Sequence, residues 1–127
     1  MFLSKEAIKT AVEKGEIGIT DFKEEYLKPA SYTLTLGLLK EGKTLELKPG
    51  EFILLETKEK VTLNGKYCGI MATPGHLARQ GINLTQGSDF AEPDTDNTMI
   101  LETSNNGNAP VVFTEGMKIL KIAFVKL

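Results

Sequence analysis

Apolar residues recur at two different spacings along this chain of 127 residues. Near the amino end, Ile8, Ala11 and Val12 lie three and four positions apart, as on one face of a helix. Ser4 belongs to the residue types favoured at helix N-caps. The pattern therefore predicts a single short helix over Lys5 to Lys14.

Beyond this helix, apolar and polar residues alternate with the period of two that is typical of strands. Turn signals such as Pro49-Gly50 and Asn64-Gly65 separate the segments at short intervals. Many short strands joined by turns favour a sandwich or barrel. We predict an all-β fold, mainly β with one short helix, built of short antiparallel or mixed strands. No repeat or linker divides the chain, so we expect one domain of residues 1–127. The predicted strands are Ser31 to Leu36, Thr44 to Leu47, Phe52 to Leu55, Val61 to Leu63, Tyr67 to Ala72, Met99 to Thr103, Val111 to Phe113 and Ile119 to Val125.

Composition and charge exclude several classes of protein. Hydrophobic residues make up 41% of the chain and charged residues 25%, an ordinary mixture for a folded protein. The net charge of −2 argues against a nucleic-acid-binding protein, and no apolar run is long enough to span a membrane. Cys68 and His76 are the only cysteine and histidine, which excludes an internal disulfide and a zinc site of Cys and His. We expect a cytoplasmic protein that binds no metal by itself, with Mg²⁺ arriving only on a phosphorylated ligand.

Two polar stretches interrupt the strand pattern. The stretch Pro74 to Gly81 predicts a turn followed by a short helix. The free backbone N–H groups at the start of such a helix, together with the Arg79 side chain, are suited to binding a phosphate group. An exposed arginine on a surface turn is the simpler explanation. Gly87 to Asn97 carries four acidic residues, but their spacing does not match a calcium-binding loop. A solvated acidic loop explains this second stretch more simply than a cation site.

Glu102 ends the apolar run Met99 to Leu101 in a predicted strand. A carboxylate in such a position can be partly desolvated, which suits it to proton transfer. Strand alternation can equally direct it to solvent, and the local sequence leaves both alternatives open.

Six segments, in the same order along the chain, resemble motifs of the dCTP deaminases and the bifunctional dCTP deaminase/dUTPases. The resemblance runs over essentially the whole chain, and Glu102 follows Arg79 by 23 positions, as the corresponding residues do in that family. The segments are Leu3 to Lys5, Leu27 to Gly37, Pro49 to Val61, Leu77 to Gly81, Leu101 to Gly107 and Gly116 to Phe124.

The resemblance implies a distorted β-barrel of the dUTPase type (a β-clip), assembled as a homotrimer with sites between subunits. The implied ligand is a deoxynucleoside triphosphate or a related small nucleotide. Glu102 corresponds to the glutamate that activates water at C4 of cytosine, and Arg79 to an arginine close to the site. The positions that the resemblance assigns to substrate binding are Ala78, His76, Gln86, Phe90, Glu92 and Lys121.

The chain departs from the family motifs mainly at the positions that bind the nucleotide in that family. Pro74-Gly75-His76 stands where the family has an arginine and two serines, and Thr33 and Asp94 replace an aspartate and a glycine. Lys121 replaces a glutamine, and the sequence ends at Leu127 without the tail that covers the triphosphate in the family. His76 and Lys121 are the candidates to replace the lost phosphate contacts.

Two main hypotheses follow from this mixture. In the first, the chain is a nucleotide-metabolism hydrolase that deaminates dCTP, or hydrolyses dUTP, with Glu102 activating water. In the second, it is an inactive homologue that binds a nucleotide or nucleotide-like signal, or a trimeric structural or regulatory module. A third hypothesis is an oligomeric β domain without a ligand, in which Glu102 forms a salt bridge across a subunit interface.

Overall fold

The structure is a computed structural model that describes residues 1–40 and 42–127. These residues form two helices, α1 (Lys5–Glu13) and α2 (Gly75–Ala78), and a 3-10 turn at Glu24–Tyr26. Neither of these helices has the length and apolar character needed to cross a membrane. The strands are β1 (Ile17–Ile19), β2 (Leu27–Lys28), β3 (Ser31–Thr35), β4 (Thr44–Leu47), β5 (Phe52–Leu63), β6 (Tyr67–Ala72), β7 (Ile82–Asn83), β8 (Phe90–Ala91), β9 (Asp96–Asn105), β10 (Val111–Thr114) and β11 (Lys118–Lys126).

The predicted amino-terminal helix is confirmed as α1. The Ser4 hydroxyl accepts a hydrogen bond from the backbone N–H of Ala7 at 3.2 Å, which caps the first turn. Ile8 and Ala11 are buried, so the apolar face packs against the core. The helix stops before Gly15, whose φ of 74° lies in the left-handed region that terminates helices.

Strand pairing in the described residues gives three sheets. One sheet has the order β1-β5-β9-β7, the second has the order β2-β3-β11-β6-β8, and β10 pairs with β4. One cluster of buried apolar side chains draws members from all three sheets. The predicted all-β class is confirmed, although these sheets do not join into one continuous closed barrel. The largest fully buried side chains include Tyr32, Leu101, Phe113 and Phe124.

One predicted gap between strands is wrong, because Phe52 to Leu55 and Val61 to Leu63 belong to the single strand β5. The intervening residues are polar, yet Thr57 and Glu59 are buried on the core face. The Glu59 carboxylate accepts hydrogen bonds from the backbone N–H and the hydroxyl of Thr35, at 2.9 and 2.6 Å. These buried polar groups are hydrogen-bonded, and they hide the strand from a hydrophobic pattern. The pairing of β5 with β9 shifts register between Glu56 and Lys60.

The sequence pattern also missed the short strands β1, β2, β7 and β8. Each has only two or three residues, which is too short to show a period. The Asn64-Gly65 signal marks a change of direction, but it joins β5 and β6, which lie in different sheets. Local turn chemistry therefore located the bend without specifying the partner strands.

Candidate active site

Glu102 lies in the middle of β9, opposite Leu54 of β5. The preceding residue, Leu101, is fully buried, so alternation directs Glu102 to the outer face of the four-stranded sheet. The residue is partly buried, and its Oε1 atom is inaccessible to solvent with no hydrogen-bond partner among the described residues. Buried carboxylate oxygens are normally paired, so this atom is an acceptor without a donor.

Large apolar side chains surround this carboxylate on the outer face. Phe52, Leu54 and Ile100 are 57%, 60% and 49% exposed, although they lie on central strands of a sheet. We call the outer-face residues Phe52, Leu54, Ile100 and Glu102 the acid-centred face. A contiguous exposed apolar surface is typical of a region that another molecule covers.

The loop after β7 is tied to the same face. The Asn83 side chain accepts hydrogen bonds from the backbone N–H groups of Thr85 and Gln86, at 2.9 and 3.0 Å. Gln86, which has a φ of 49°, then donates its side-chain amide to the Ser104 hydroxyl at 2.5 Å. Ser104 lies two residues beyond Glu102 on the same side of β9, roughly 7 Å along the strand. The fold therefore brings Gln86 and Glu102, two predicted site residues, to one region.

Arg79 lies directly after α2 and lines a depression of about 600 Å³. Its Nη1 atom is 2.9 Å from the position that a Cβ at Gly75 would occupy, so the guanidinium rests on the turn that opens α2. We call this cavity the Arg79 depression; its lining residues are Ala78, Arg79, Gln80, Gly81, Asn106, Gly107, Asn108, Ala109 and Val111.

Two glycines hold the walls of the Arg79 depression together. The backbone N–H of Asn106 donates to the Gly81 carbonyl at 2.8 Å. A Cβ at Gly107 would lie only 2.2 Å from the Gln80 carbonyl oxygen, which is backbone and cannot easily move. This close approach fixes the end of β9 against the segment that carries Arg79.

Arg79 and Glu102 form no ion pair in the single chain. Within residues 1–40 and 42–127, Arg79 forms no ion pair with any carboxylate. Asn106, which lines the Arg79 depression, is four strand residues beyond Glu102, roughly 13 Å along the chain direction. The two predicted catalytic residues, Glu102 on β9 and Arg79 after α2, therefore form no ion pair within one chain.

Phe90 and Lys121 lie elsewhere, on the outer face of the five-stranded sheet. Phe90 of β8 pairs with Ile70 of β6 and is half exposed. Lys121 of β11 lies between Thr33 and Ala72 and is also exposed. Neither side chain lines the Arg79 depression.

His76 and Glu92 are both exposed in this chain. His76 lies within α2, and its backbone carbonyl accepts a hydrogen bond from the Gln80 side chain at 2.9 Å. The Glu92 carbonyl accepts from the backbone N–H and hydroxyl of Thr95, which closes a turn before β9. Among the predicted substrate-binding residues, only Ala78 joins Arg79 in lining the depression.

The acidic stretch of residues 87–97 runs into β9, and its Asp96 forms an ion pair with a lysine of β5. Lys60 lies 3.1 Å from Asp96, and this contact, together with the Thr62 hydroxyl, lowers the pKa of Asp96. In the described part of the chain, no three His, Cys, Asp or Glu side chains are grouped as a metal site. This acid therefore stabilises the pairing of β5 with β9.

Sequence reasoning missed the neighbours of Glu102 on the acid-centred face. The period of two places Ile100 and Ser104 on the same side as Glu102, so that signal was present in the sequence. Leu54 and Phe52 join them only through the antiparallel register of β5 with β9.

Solved structures with known activities have the same fold. The 2'-deoxycytidine 5'-triphosphate deaminase from Agrobacterium tumefaciens superimposes with a TM-score of 0.78 at 17% identity, over 97% of this chain and 47% of that chain. EIAV dUTPase superimposes with a TM-score of 0.68 at 15% identity, over 87% of this chain and 86% of that chain. The chain thus has the dUTPase-type fold, and it spans about half the length of the Agrobacterium protein.

Sequence comparison shows the family. The family model described as dCTP deaminase-like matches residues 38–127. The protein named "dCTP deaminase, dUMP-forming" from Corynebacterium diphtheriae is 27% identical over 154 aligned residues, which cover 100% of this chain and 82% of the relative. The chain belongs to the dCTP deaminase-like family.

Proposed function

We propose that this protein acts on deoxynucleotides, by hydrolytic deamination of a cytosine deoxynucleotide such as dCTP with Glu102 as the general base. The observation that carries the proposal is the inaccessible, unpartnered Oε1 of Glu102 at the centre of the acid-centred face. A carboxylate that lies among apolar groups without a hydrogen-bond donor is suited to act as a general base toward a water molecule bound with the substrate. The oxygen adds to C4 of the base, the proton passes to the amino group, and ammonia leaves to give uracil.

The proposed site forms between copies of the chain, in a homotrimer. Arg79 and Glu102 make no ion pair with each other in the described residues, and the acid-centred face is exposed in the single chain. Packing a second copy on this face buries its apolar side chains and brings the neighbour's Arg79 depression to the nucleotide. Both residues then line one site without having to meet in one subunit.

A second candidate function is nucleotide binding without turnover. His76 and Lys121, the candidates for replacing lost phosphate contacts, lie outside the Arg79 depression. Mg²⁺ bound to the nucleotide phosphates would then carry part of the charge compensation. Hydrolysis of dUTP remains the alternative reaction for the same water-activating carboxylate.

The catalytic proposal is tested with Glu102→Gln, which keeps the shape of the side chain and removes the base. We expect wild-type protein to release ammonia from dCTP with Mg²⁺, and the variant to release none while nucleotide still raises its melting temperature. Glu56→Gln is the matched control, because Glu56 lies two residues from Leu54 on β5 and bonds to the Thr98 hydroxyl. Equal loss of activity in both variants contradicts a special role for Glu102. A wild-type protein that is stabilised by nucleotide but turns over neither dCTP nor dUTP supports the binding function instead.

The position of the site between copies is tested by mixing two inactive variants. Arg79→Ala and Glu102→Gln are denatured together and refolded, so that mixed oligomers form. If each site takes Arg79 from one copy and Glu102 from another, some mixed sites regain both residues and activity returns. A mixture as inactive as its components places both residues in one subunit's site and contradicts this arrangement.

A further inference from the structure

Two asparagine-glycine pairs occur in the chain, Asn64-Gly65 and Asn106-Gly107. In such a pair, the backbone nitrogen of the glycine can attack the side-chain carbonyl of the asparagine, because glycine has no side chain to hinder the approach. Both pairs contain the same reacting groups. A large difference in their reactivity would therefore have to come from the fold.

The Asn64-Gly65 pair lies in an open turn between β5 and β6. Both residues are exposed. Gly65 has a φ of 92°, and among the described residues no atom beyond its chain neighbours lies within 4 Å of a Cβ built on it. Its N–H donates to the Pro93 carbonyl at 2.9 Å, which is the one hydrogen bond that the nitrogen must give up to react. The backbone can rearrange here without displacing packed neighbours.

The Asn64 side chain already faces the backbone that follows it. Its Oδ1 atom accepts a hydrogen bond from the backbone N–H of Lys66 at 3.2 Å. This arrangement is an Asx-type turn, which folds the side chain back over the peptide bond to Gly65. A donor on the carbonyl oxygen also stabilises the negative charge that develops there when a nucleophile adds to the carbon. Proximity and this donor both favour attack by the Gly65 nitrogen.

The Asn106-Gly107 pair is held by packing instead. The Gly107 N–H donates to the side chain of the buried residue Asn105 at 2.9 Å. The Asn106 N–H donates to the Gly81 carbonyl at 2.8 Å. A Cβ at either Gly81 or Gly107 would overlap the backbone of the facing segment, so these two segments are in close contact. The Gly107 nitrogen therefore reaches the Asn106 side chain only if this contact opens.

We propose that Asn64 is a site of spontaneous deamidation, and that the fold protects the chemically equivalent Asn106. The Gly65 nitrogen loses its proton to solvent and bonds to the side-chain carbonyl carbon of Asn64, and the amide nitrogen takes up a proton and leaves as ammonia. Water then opens the resulting cyclic imide at either carbonyl, which gives aspartate or isoaspartate. The reaction consumes water, releases ammonia and turns a neutral amide into a carboxylate.

The modification also affects the turn that precedes β9. An isoaspartate inserts an extra methylene into the backbone beside Gly65, which displaces its N–H from Pro93. Pro93 belongs to the turn that the Glu92 carbonyl closes with Thr95, and Glu92 is one of the predicted substrate-binding residues. Loss of one hydrogen bond should lower the melting temperature of the isoaspartate form by roughly 4 °C.

The test is incubation of the full chain in mildly alkaline buffer below its melting temperature, with proteolysis and mass spectrometry at intervals. In the folded protein, we expect Asn64 to convert at least about tenfold faster than Asn106, because a protected site reacts only through local opening. In guanidinium chloride, the two sites should convert at similar rates, since the fold no longer distinguishes them. Methyl transfer by an isoaspartate methyltransferase identifies the isoaspartate product.

Two variants separate the causes. Asn64→Gln should remove conversion in this turn, because the attack would have to close a larger ring. Asn105→Ala frees the Gly107 N–H, so it should accelerate conversion of Asn106 and leave that of Asn64 unchanged. If this variant does not fold, the comparison of folded with denatured wild-type protein decides alone.

Three outcomes would overturn the inference. Asn64 and Asn106 could convert equally fast in the folded protein, or Asn64 could remain unmodified there. Alternatively, the difference could persist in guanidinium chloride, and its cause would then lie in the local sequence and not in the fold. None of these outcomes bears on the proposed nucleotide function.

Discussion

Asn105 connects the core of the fold to the wall of the Arg79 depression, and replacing it measures that connection. Its side chain is fully buried at the end of β9. The amide nitrogen donates to the carbonyls of Leu47 and Ala109, both at 2.9 Å, and the amide oxygen accepts from the backbone N–H of Gly107 at 2.9 Å. Asn105→Ala removes all three hydrogen bonds, one of them to the backbone of the buried residue Leu47.

Each hydrogen bond contributes about 1 kcal/mol net, so the variant should lose about 3 kcal/mol of unfolding free energy. For a chain of this length, the melting temperature should fall by on the order of 10 °C. Urea denaturation followed by circular dichroism gives the free energy, and a thermal scan gives the temperature. Asn97→Ala is the control, since Asn97 is an exposed asparagine on the same strand. A loss equal to that of the control, or well below 1 kcal/mol, would refute the reasoning.

Two further predictions concern the same strand. Gly107→Ala places a Cβ 2.2 Å from the Gln80 carbonyl oxygen, so it should lower the unfolding free energy by about 1–3 kcal/mol. A urea midpoint equal to that of the wild type would contradict this. The contact with Lys60 lowers the pKa of Asp96 in the folded protein. The ion pair therefore stabilises the fold at pH values above the ordinary pKa of aspartate. This stabilisation is lost as the pH falls through the lowered pKa. Asp96→Asn should therefore flatten the acid side of the stability profile, as followed by denaturation at a series of pH values, whereas an unchanged acid side would show that the pair adds nothing.

Much of the fold follows from patterns that are local in sequence. The helix α1 is predictable because its cap and its apolar face lie within ten residues of each other. The strands β6 and β10 are predictable because each is a short apolar run bounded by turn residues. The sequence pattern did not predict a strand in the middle of β5, because Glu59 is a charged residue on the core face. Its partner, Thr35, lies on a strand that is distant in sequence. No local rule identifies a buried acid whose partner lies 24 positions away.

The candidate site also has some features that the sequence predicts and others that only the tertiary structure sets. The identity of Glu102 and Arg79 as candidate residues came from sequence motifs, and their roles stay predictions. Whether they form an ion pair in one chain is a tertiary property, since it depends on the pairing of β7 with β9 and the position of α2. The unpartnered carboxyl oxygen of Glu102 also depends on packing, because the register of β5 places Leu54 beside it.

By itself, the sequence determined the mainly β class, the amino-terminal helix, most strand positions and the resemblance to dCTP deaminases. These properties depend on residue type and on short-range spacing, which are present before the chain folds. Only the tertiary structure decided which strands pair and that Glu102 lies among exposed apolar side chains. It also decided that, among the described residues, Arg79 is the only charged residue lining its depression. Those properties depend on contacts between residues far apart in sequence, and backbone register sets them.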